Sequence, residues 1–353
     1  MEKARFKWVL RERNRKIAAK TEVFTEQQAR RVRSFHSSFK EYSPTPLIEL
    51  TSLAQHLGIK NLFVKDESYR FELNAFKVLG GSFAIGSYIA NELGEDIDDL
   101  PYMRLVSDEV RSLLGSKTFI TTTDGNHGRG VAWTANRLKQ QAIVYMPQGS
   151  AAERLANIRA EGAQAEITDM NYDDTVRYTS ELAQKNGWII VQDTAWDGYT
   201  RIPLWIMQGY MTMALEAYEQ LPVKPTHIFL QAGVGSLAGS VQGFFADIYG
   251  SSCPLTFIVE PKGADCLYQT AAANDGSLHS VTGRLETIMA GLACGEPNSI
   301  AWEILGNLSD GFISCPDYTA AQGMRILGNP LAGDTKVSAG ESGAATVGLV
   351  AAV

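Results

Sequence analysis

Short runs rich in β-branched and aromatic residues alternate along this chain with longer stretches whose apolar positions recur every three or four residues. The runs NLFVKDE, KTFITTTDG, QAIVYMP, QAEITD, GWIIVQD, HIFLQAG and LTFIVEP predict strands. The stretches GVAWTANRLKQQ, SAAERLANIRAEG, NYDDTVRYTSELAQKNG and LWIMQGYMTMALEAYEQL predict amphipathic helices. Such alternation implies an α/β fold, with mostly parallel sheets covered by helices on both faces. Catalytic loops are then expected at the C-terminal ends of the strands. The pattern contains no repeat, low-complexity block or evident linker. The stretch from KTFI to VQD is self-contained, so residues 86–204 are expected as a small domain, and 1–85 with 205–353 as a discontinuous large one.

Composition narrows the function classes. A chain of 353 residues suits one large α/β unit or two domains. A net charge of -7 argues against nucleic acid or an anionic membrane as the main partner. No apolar run approaches the ~20 residues of a membrane helix. The first twenty residues, MEKARFKWVLRERNRKIAAK, are basic but lack a signal-peptide apolar region, and Glu2 and Glu12 count against a transit peptide. They are expected to form an exposed polar arm. Cys253, Cys266, Cys294 and Cys315 show no metal-type spacing, so reduced thiols in a cytoplasmic protein are expected; a Cys266–Cys294 pairing stays open. No His, Asp or Glu spacing suggests a metal site, and no G-x-S-x-G elbow occurs.

Five places carry candidate chemistry. Lys77 lies between Phe76 and Val78-Leu79, with Gly80 and Gly81 after it. An ammonium in apolar surroundings is costly unless neutralised or used. Desolvation lowers a lysine pKa toward neutrality, where the amine forms Schiff bases. The two glycines would let the backbone pass close to a flat ligand. The plain alternative is a surface lysine whose stem covers apolar neighbours. The segment TTTDGNHGRG, Thr121 to Gly130, precedes a helix expected to open near Val131, whose first N–H groups make an anion site. Asn126 offers a donor and an acceptor. Asp124 would repel a carboxylate, but suits a ligand that also carries a cation. The alternative there is a glycine-rich turn with a capping Asp.

In QAGVGSLAGS, Gly233, Gly235 and Gly239, with Ser236, read as a phosphate cradle at a helix N-terminus. The same loop nominally matches a dinucleotide pattern, with Glu260 ending the next strand where a ribose-binding acid belongs. A nicotinamide dehydrogenase therefore stays open, as do plain packing glycines. Asp193 closes the strand GWIIVQD, where catalytic groups project in open α/β sheets; a turn or capping Asp is the alternative. Glu341, Ser342 and Gly343 read as a tight loop leading to a helix, or as an N-cap with a turn.

In this order the motifs resemble pyridoxal-phosphate enzymes of the tryptophan synthase β / threonine dehydratase fold group, fold type II. Within it, KDESYRFELNAFKVLGG, TTTDGNHGRGVAW, MNYDDTVR, VQDTAWDGYTRIPLWIMQGY, QAGVG and IMAGLACGEPN are similar to the diaminopropionate ammonia-lyase family, from about residue 35 onward. The resemblance implies two open twisted sheets and pyridoxal 5'-phosphate as cofactor. It implies that Lys77 is the Schiff-base lysine, that Asn126 holds the ring hydroxyl, and that Gly233 to Ser236 hold the phosphate, with Glu341 to Gly343 also on the cofactor. Thr123, Asp124, Gly125, Asn126 and His127 are expected on the substrate. Asp124 and Asp193 are implied as acid/base groups, one for each face of Cα, so that D and L isomers of 2,3-diaminopropionate both yield pyruvate and two ammonia. Related hydroxyamino-acid dehydratases carry a small residue at the Asp124 position; a serine/threonine dehydratase is the nearer alternative. A homodimer is implied as well. The family ends on a further strand with a Ser/Thr-type partner for the pyridine nitrogen, and this chain is expected to lack that segment.

Overall fold

The computed structural model describes residues 6–11 and 21–353. Among these the strands are β1 Lys7–Leu10, β2 Leu47–Glu49, β3 Phe63–Lys65, β4 Thr118–Thr122, β5 Gln141–Met146, β6 Gln164–Ile167, β7 Ile189–Ile190, β8 His227–Gln231, β9 Leu255–Pro261 and β10 Gly311–Cys315. The chain divides into two compact units.

The first unit takes Pro44–Tyr69, Met213–Val353 and the described part of the first 22 residues. Its main sheet has the order β1-β10-β9-β8, with β8, β9 and β10 parallel and β1 antiparallel at the edge. The register sets Lys7 against Ser314, and Gly311 against Phe257. This corrects the expected N-terminal polar arm: KWVL pairs as an edge strand, with Trp8 and Leu10 exposed. The rest of that arm, 1–5 and 12–20, lies outside the described residues. The run NLFVKDE also departs from a parallel sheet, because β3 pairs antiparallel with β2 in a separate two-stranded ribbon. Val259, Met289, Ile313 and Leu349 form the apolar centre of the main sheet. Beside it the Asp317–Gly328 and Glu341–Val350 helices touch backbone to backbone: a Cβ on Gly323 would lie 2.0 Å from the Ala344 oxygen.

The second unit takes Val23–Ser43 and Arg70–Thr212, and contains the whole of the expected 86–204 segment. Its sheet is parallel throughout, in the order β6-β5-β4-β7. Apolar alternation is weak in β4 because Phe119, Ile120, Thr121 and Thr122 are all buried, as befits a central strand covered on both faces. Phe35, Phe39, Phe71, Phe83 and Trp133 meet edge-on or tilted to form an aromatic core. The Lys77–Leu93, Asn126–Arg137 and Arg201–Gln220 helices come close through glycines. A Cβ on Gly130 would sit 2.8 Å from Val78 Cα, and one on Gly209 only 2.3 Å from the Leu79 oxygen.

Candidate active site

Lys77 is the first residue of its helix. The chain enters through Phe71, Glu72 and Asn74, all at positive φ, a costly backbone that marks a position fixed by its surroundings. The Lys77 ammonium donates to Asp193 Oδ2 in an ion pair; the lysine side chain is one-fifth exposed and the carboxylate almost wholly buried. Burial by itself would lower the Lys77 pKa. The Asp193 charge, with Tyr210 and Asp124 adding to it, outweighs burial and holds the ammonium above the ordinary lysine range. Burial pushes Asp193 up, but Lys77 and then His127 more than offset that and leave it at about 2. The expected neutral amine is therefore corrected: in the protein alone Lys77 is a paired cation. Gly80 and Gly81 are corrected too. Both are buried within the helix; a Cβ on Gly80 would strike Tyr210 and Ile206, and one on Gly81 would rest on Gly130 and Val131. They make room for neighbouring helices of this unit.

Asp193 lies three residues beyond β7, on a segment tied down from both ends. Tyr199 Oη accepts from the Gln192 N–H at 2.9 Å and donates to the Ile190 oxygen at 3.0 Å. Gln192 Oε1 accepts from Thr122 N at 3.0 Å and Thr121 Oγ1 at 3.1 Å, while its Nε2 donates to Tyr172 Oη at 2.8 Å. These bonds join the ends of β4 and β7 and fix where the carboxylate stands.

The glycine-rich segment after β4 is a shorter loop than expected. The helix opens at Asn126, not near Val131, so His127, Gly128 and Gly130 are helical. The glycines that read as loop are there because the helix runs against β5 and the Lys77 helix; a Cβ on Gly128 would be 2.3 Å from Thr123 Cγ2. Thr123 Oγ1 accepts from the N–H groups of Gly125 and Gly128 and so shapes the turn. Asn126 is exposed and Gly125 buried. Asp124 stands at this helix start, where Arg154 Nη1 approaches its Oδ2 at 3.4 Å. Burial raises the Asp124 pKa; Lys77 and Arg154 restrain the rise. His127 Nε2 donates to the Val191 oxygen at 2.7 Å, which leaves Nδ1 as the acceptor of a neutral ring. That Nδ1 is buried without a partner, and burial holds the ring below the ordinary histidine pKa.

In the first unit, Gly233 to Gly235 follow β8 and lead into the Ser236–Tyr249 helix, whose N-terminus carries no side-chain cap. Gly235 has φ +103, a conformation open to glycine. A Cβ on Gly233 would crowd the backbone of Leu292 at 3.2 Å and Cys294 Sγ at 3.3 Å. Asn298 holds the loop: its N–H donates to the Val234 oxygen and its Nδ2 to Ser236 Oγ, both at 2.8 Å. Glu260, the acid that a dinucleotide site would use, instead accepts from the N–H groups of Leu267 at 2.9 Å and Tyr268 at 2.7 Å. It holds the start of the next helix and is fully buried; burial raises its pKa well above the ordinary glutamate value, against the two N–H bonds. The dehydrogenase alternative loses its ribose partner. Glu341, Ser342 and Gly343 are the first turn of the Glu341–Val350 helix rather than a loop before it. No disulfide joins the four cysteines, and Cys266 and Cys315 are buried. Among the described residues no group of three or more His, Cys, Asp or Glu is placed to hold a metal, and no helix is long and apolar enough to cross a membrane.

Sequence reasoning missed Tyr210, Arg154, Gln192 and Asn298. Tyr210 and Arg154 sit in stretches read as helix, Gln192 sits near a strand end, and Asn298 closes IMAGLACGEPN; nothing in residue type or spacing separated them from ordinary surface or core.

Each unit carries groups that suit pyridoxal phosphate: the second, a buried lysine–carboxylate pair flanked by unpartnered polar atoms, with an amine of the kind that takes an aldehyde; the first, a glycine loop at an uncapped helix start, of the kind that takes a phosphate. Residues 39–352 match the family model described as pyridoxal-phosphate dependent enzyme, and fold and site together define a member of that class, fold type II. The chain belongs, within it, to the diaminopropionate ammonia-lyase family. It is 52% identical over 335 residues to diaminopropionate ammonia-lyase of Escherichia coli (strain K12), spanning 94% of this chain and 82% of that protein. The crystal structure of holo diaminopropionate ammonia lyase from Escherichia coli superposes with a TM-score of 0.91 at 49% identity, covering 99% of this chain and 86% of the other. The catabolic L-threonine dehydratase of Staphylococcus aureus (strain USA300) is more distant, 26% identical over 80% of this chain and 71% of its own.

Proposed function

We propose that this enzyme is a carbon–nitrogen lyase that converts 2,3-diaminopropionate, as D and L isomers, and one water to pyruvate and two ammonia. The observation that carries this reading is Asp124: a carboxylate with a raised pKa, at a helix start, electrostatically coupled to Lys77. It is matched to the second ammonium of a diamino acid, and its pKa, closer to neutrality than a free aspartate, suits proton transfer. Bound pyridoxal phosphate supplies an electron sink for the charge that develops at Cα. Lys77 would attach the cofactor, Asn126 would serve its ring hydroxyl, and Gly233, Val234, Gly235 and Ser236 would receive its phosphate. Glu341, Ser342 and Gly343 belong with the cofactor as well.

Asp124 and Asp193 move the α-proton, one for each face of Cα. Arg154 keeps Asp124 oriented, and the Gln192–Tyr199 bonds keep Asp193 oriented. The β-amine leaves as ammonia because it arrives protonated. Thr123, Gly125 and His127 complete the substrate contacts. Comparing pyruvate release from diaminopropionate with release from serine and threonine tests the assignment; faster release from the hydroxyamino acids would favour the dehydratase alternative. A homodimer in the cytoplasm completes the proposal. Light scattering of the purified enzyme reads the oligomer, and fractionation of the host cell reads the compartment.

A further inference from the structure

Tyr210, on the Arg201–Gln220 helix, is fully buried, yet its hydroxyl has no hydrogen-bond partner. A buried hydroxyl is normally paired, because it loses its bonds to water on burial. Phenylalanine would fill the same space without that loss. The ring is tightly placed. It meets Phe76, the residue before Lys77, edge-on at 5.0 Å between centroids. It also fills the room left by Gly80, where a Cβ would lie 2.6 Å from Tyr210 Cε1 and 2.9 Å from Cζ. Gly80 is three residues after Lys77, on the same face of the helix. The phenol therefore sits beneath the turn that carries the lysine. Burial keeps Tyr210 above the ordinary tyrosine range, with Lys77 opposing, so the group stays an O–H.

Asp193 favours Lys77 as a cation, since an ionised carboxylate attracts the ammonium charge and has no proton to offer the lone pair of a neutral amine. A phenol serves both states. It accepts from an ammonium and donates to an amine lone pair. We propose that Tyr210 is a positioning residue for Lys77, whose hydroxyl receives the lysine nitrogen as it leaves Asp193 and holds it as the neutral amine. The proton lost from Nζ passes to solvent water or buffer base; the phenol keeps its own proton and shares it with the nitrogen. The inference rests on the reading that Lys77 attaches pyridoxal phosphate.

The test is Tyr210→Phe, which keeps the contacts with Phe76 and Gly80. Two quantities are read: the pH midpoint for forming the borohydride-reducible visible band when pyridoxal phosphate is added, and the thermal midpoint of unfolding. Loss of one hydrogen bond to the neutral amine should raise the pH midpoint by about one unit and slow attachment roughly tenfold at neutral pH, with thermal stability unchanged or higher. An unchanged pH midpoint and rate would overturn the proposal and leave Tyr210 as packing. Site-specific 3-fluorotyrosine, a stronger donor of nearly the same shape, should move the midpoint down; a shift upward would also overturn it. Lys77→Ala is run alongside. A reducible band that survives there would fault the lysine assignment itself, not the role of Tyr210.

Discussion

Replacing Lys77 with alanine removes the amine that pairs with Asp193, and leaves that carboxylate buried beside His127. Lys77→Ala should abolish the borohydride-reducible visible band and lower turnover by roughly a thousandfold or more. Asp124→Asn and Asp193→Asn should each fall harder on one isomer of diaminopropionate. Equal losses on D and L substrate would remove the idea of one carboxylate per face. Asp193 also carries a pH signature. Its folded pKa is depressed to about 2, below the ordinary value of 3.8, so its contribution to stability is full above pH ~4 and is lost as pH falls toward ~2. That depression corresponds to about 2 kcal/mol. The gap in unfolding free energy between the parent and Asp193→Asn should stay level from pH 7 to ~4 and narrow below it; a gap that widens on acidification would contradict the pairing.

Glycines at helix contacts separate close packing from open conformation at the scale of elements. Gly209→Ala would push a methyl to 2.3 Å from the Leu79 oxygen and 2.7 Å from Gly80 Cα, backbone that has no rotamer to move. A loss of about 1–3 kcal/mol is expected. Gly343→Ala meets nothing within 4 Å and lies inside a helix, so it should stabilise by about 0.5–1 kcal/mol. Thermal unfolding of both variants checks the pair. The same glycines limited what the sequence could say. All seven runs with β-branched density became strands, because such runs cannot hide their pattern. The strands that went unseen were KWVL among basic residues, the three-residue β2, and GFISC, whose Gly and Ser break the apolar signal although every residue is buried. Helix starts were misplaced at Asn126 and Glu341, because glycine reads as loop unless the neighbouring backbone is known. Lys77, Asp124, Asp193 and the 233–236 glycine loop stood out in the sequence because they are odd for their context, and the structure pairs Lys77 with Asp193. Tyr210 and Asn298 were not, because a tyrosine in an amphipathic helix or an N-capping asparagine is ordinary until its partners are seen.

If pyridoxal phosphate takes both Lys77 and the 233–236 loop, as proposed, linkage reports it at the scale of the whole molecule without reference to geometry. A ligand that binds only the folded protein stabilises it by about 4 kcal/mol at a thousandfold excess over its Kd. Pyridoxal and inorganic phosphate are the two halves of the cofactor. If Lys77 takes one half and the 233–236 loop the other, each fragment alone should shift thermal unfolding weakly. The joined molecule gains more than their sum, since binding one end raises the effective concentration of the other. Lys77→Ala should then remove the pyridoxal response and spare that to phosphate. Ser236→Ala should do the reverse, since Ser236 opens the helix whose N-terminus lies beyond the glycines and is held there by Asn298. Both variants should cut the shift caused by pyridoxal phosphate, and the double variant should abolish it. A pyridoxal phosphate shift no larger than the fragment shifts added together would mean that lysine and loop serve different ligands.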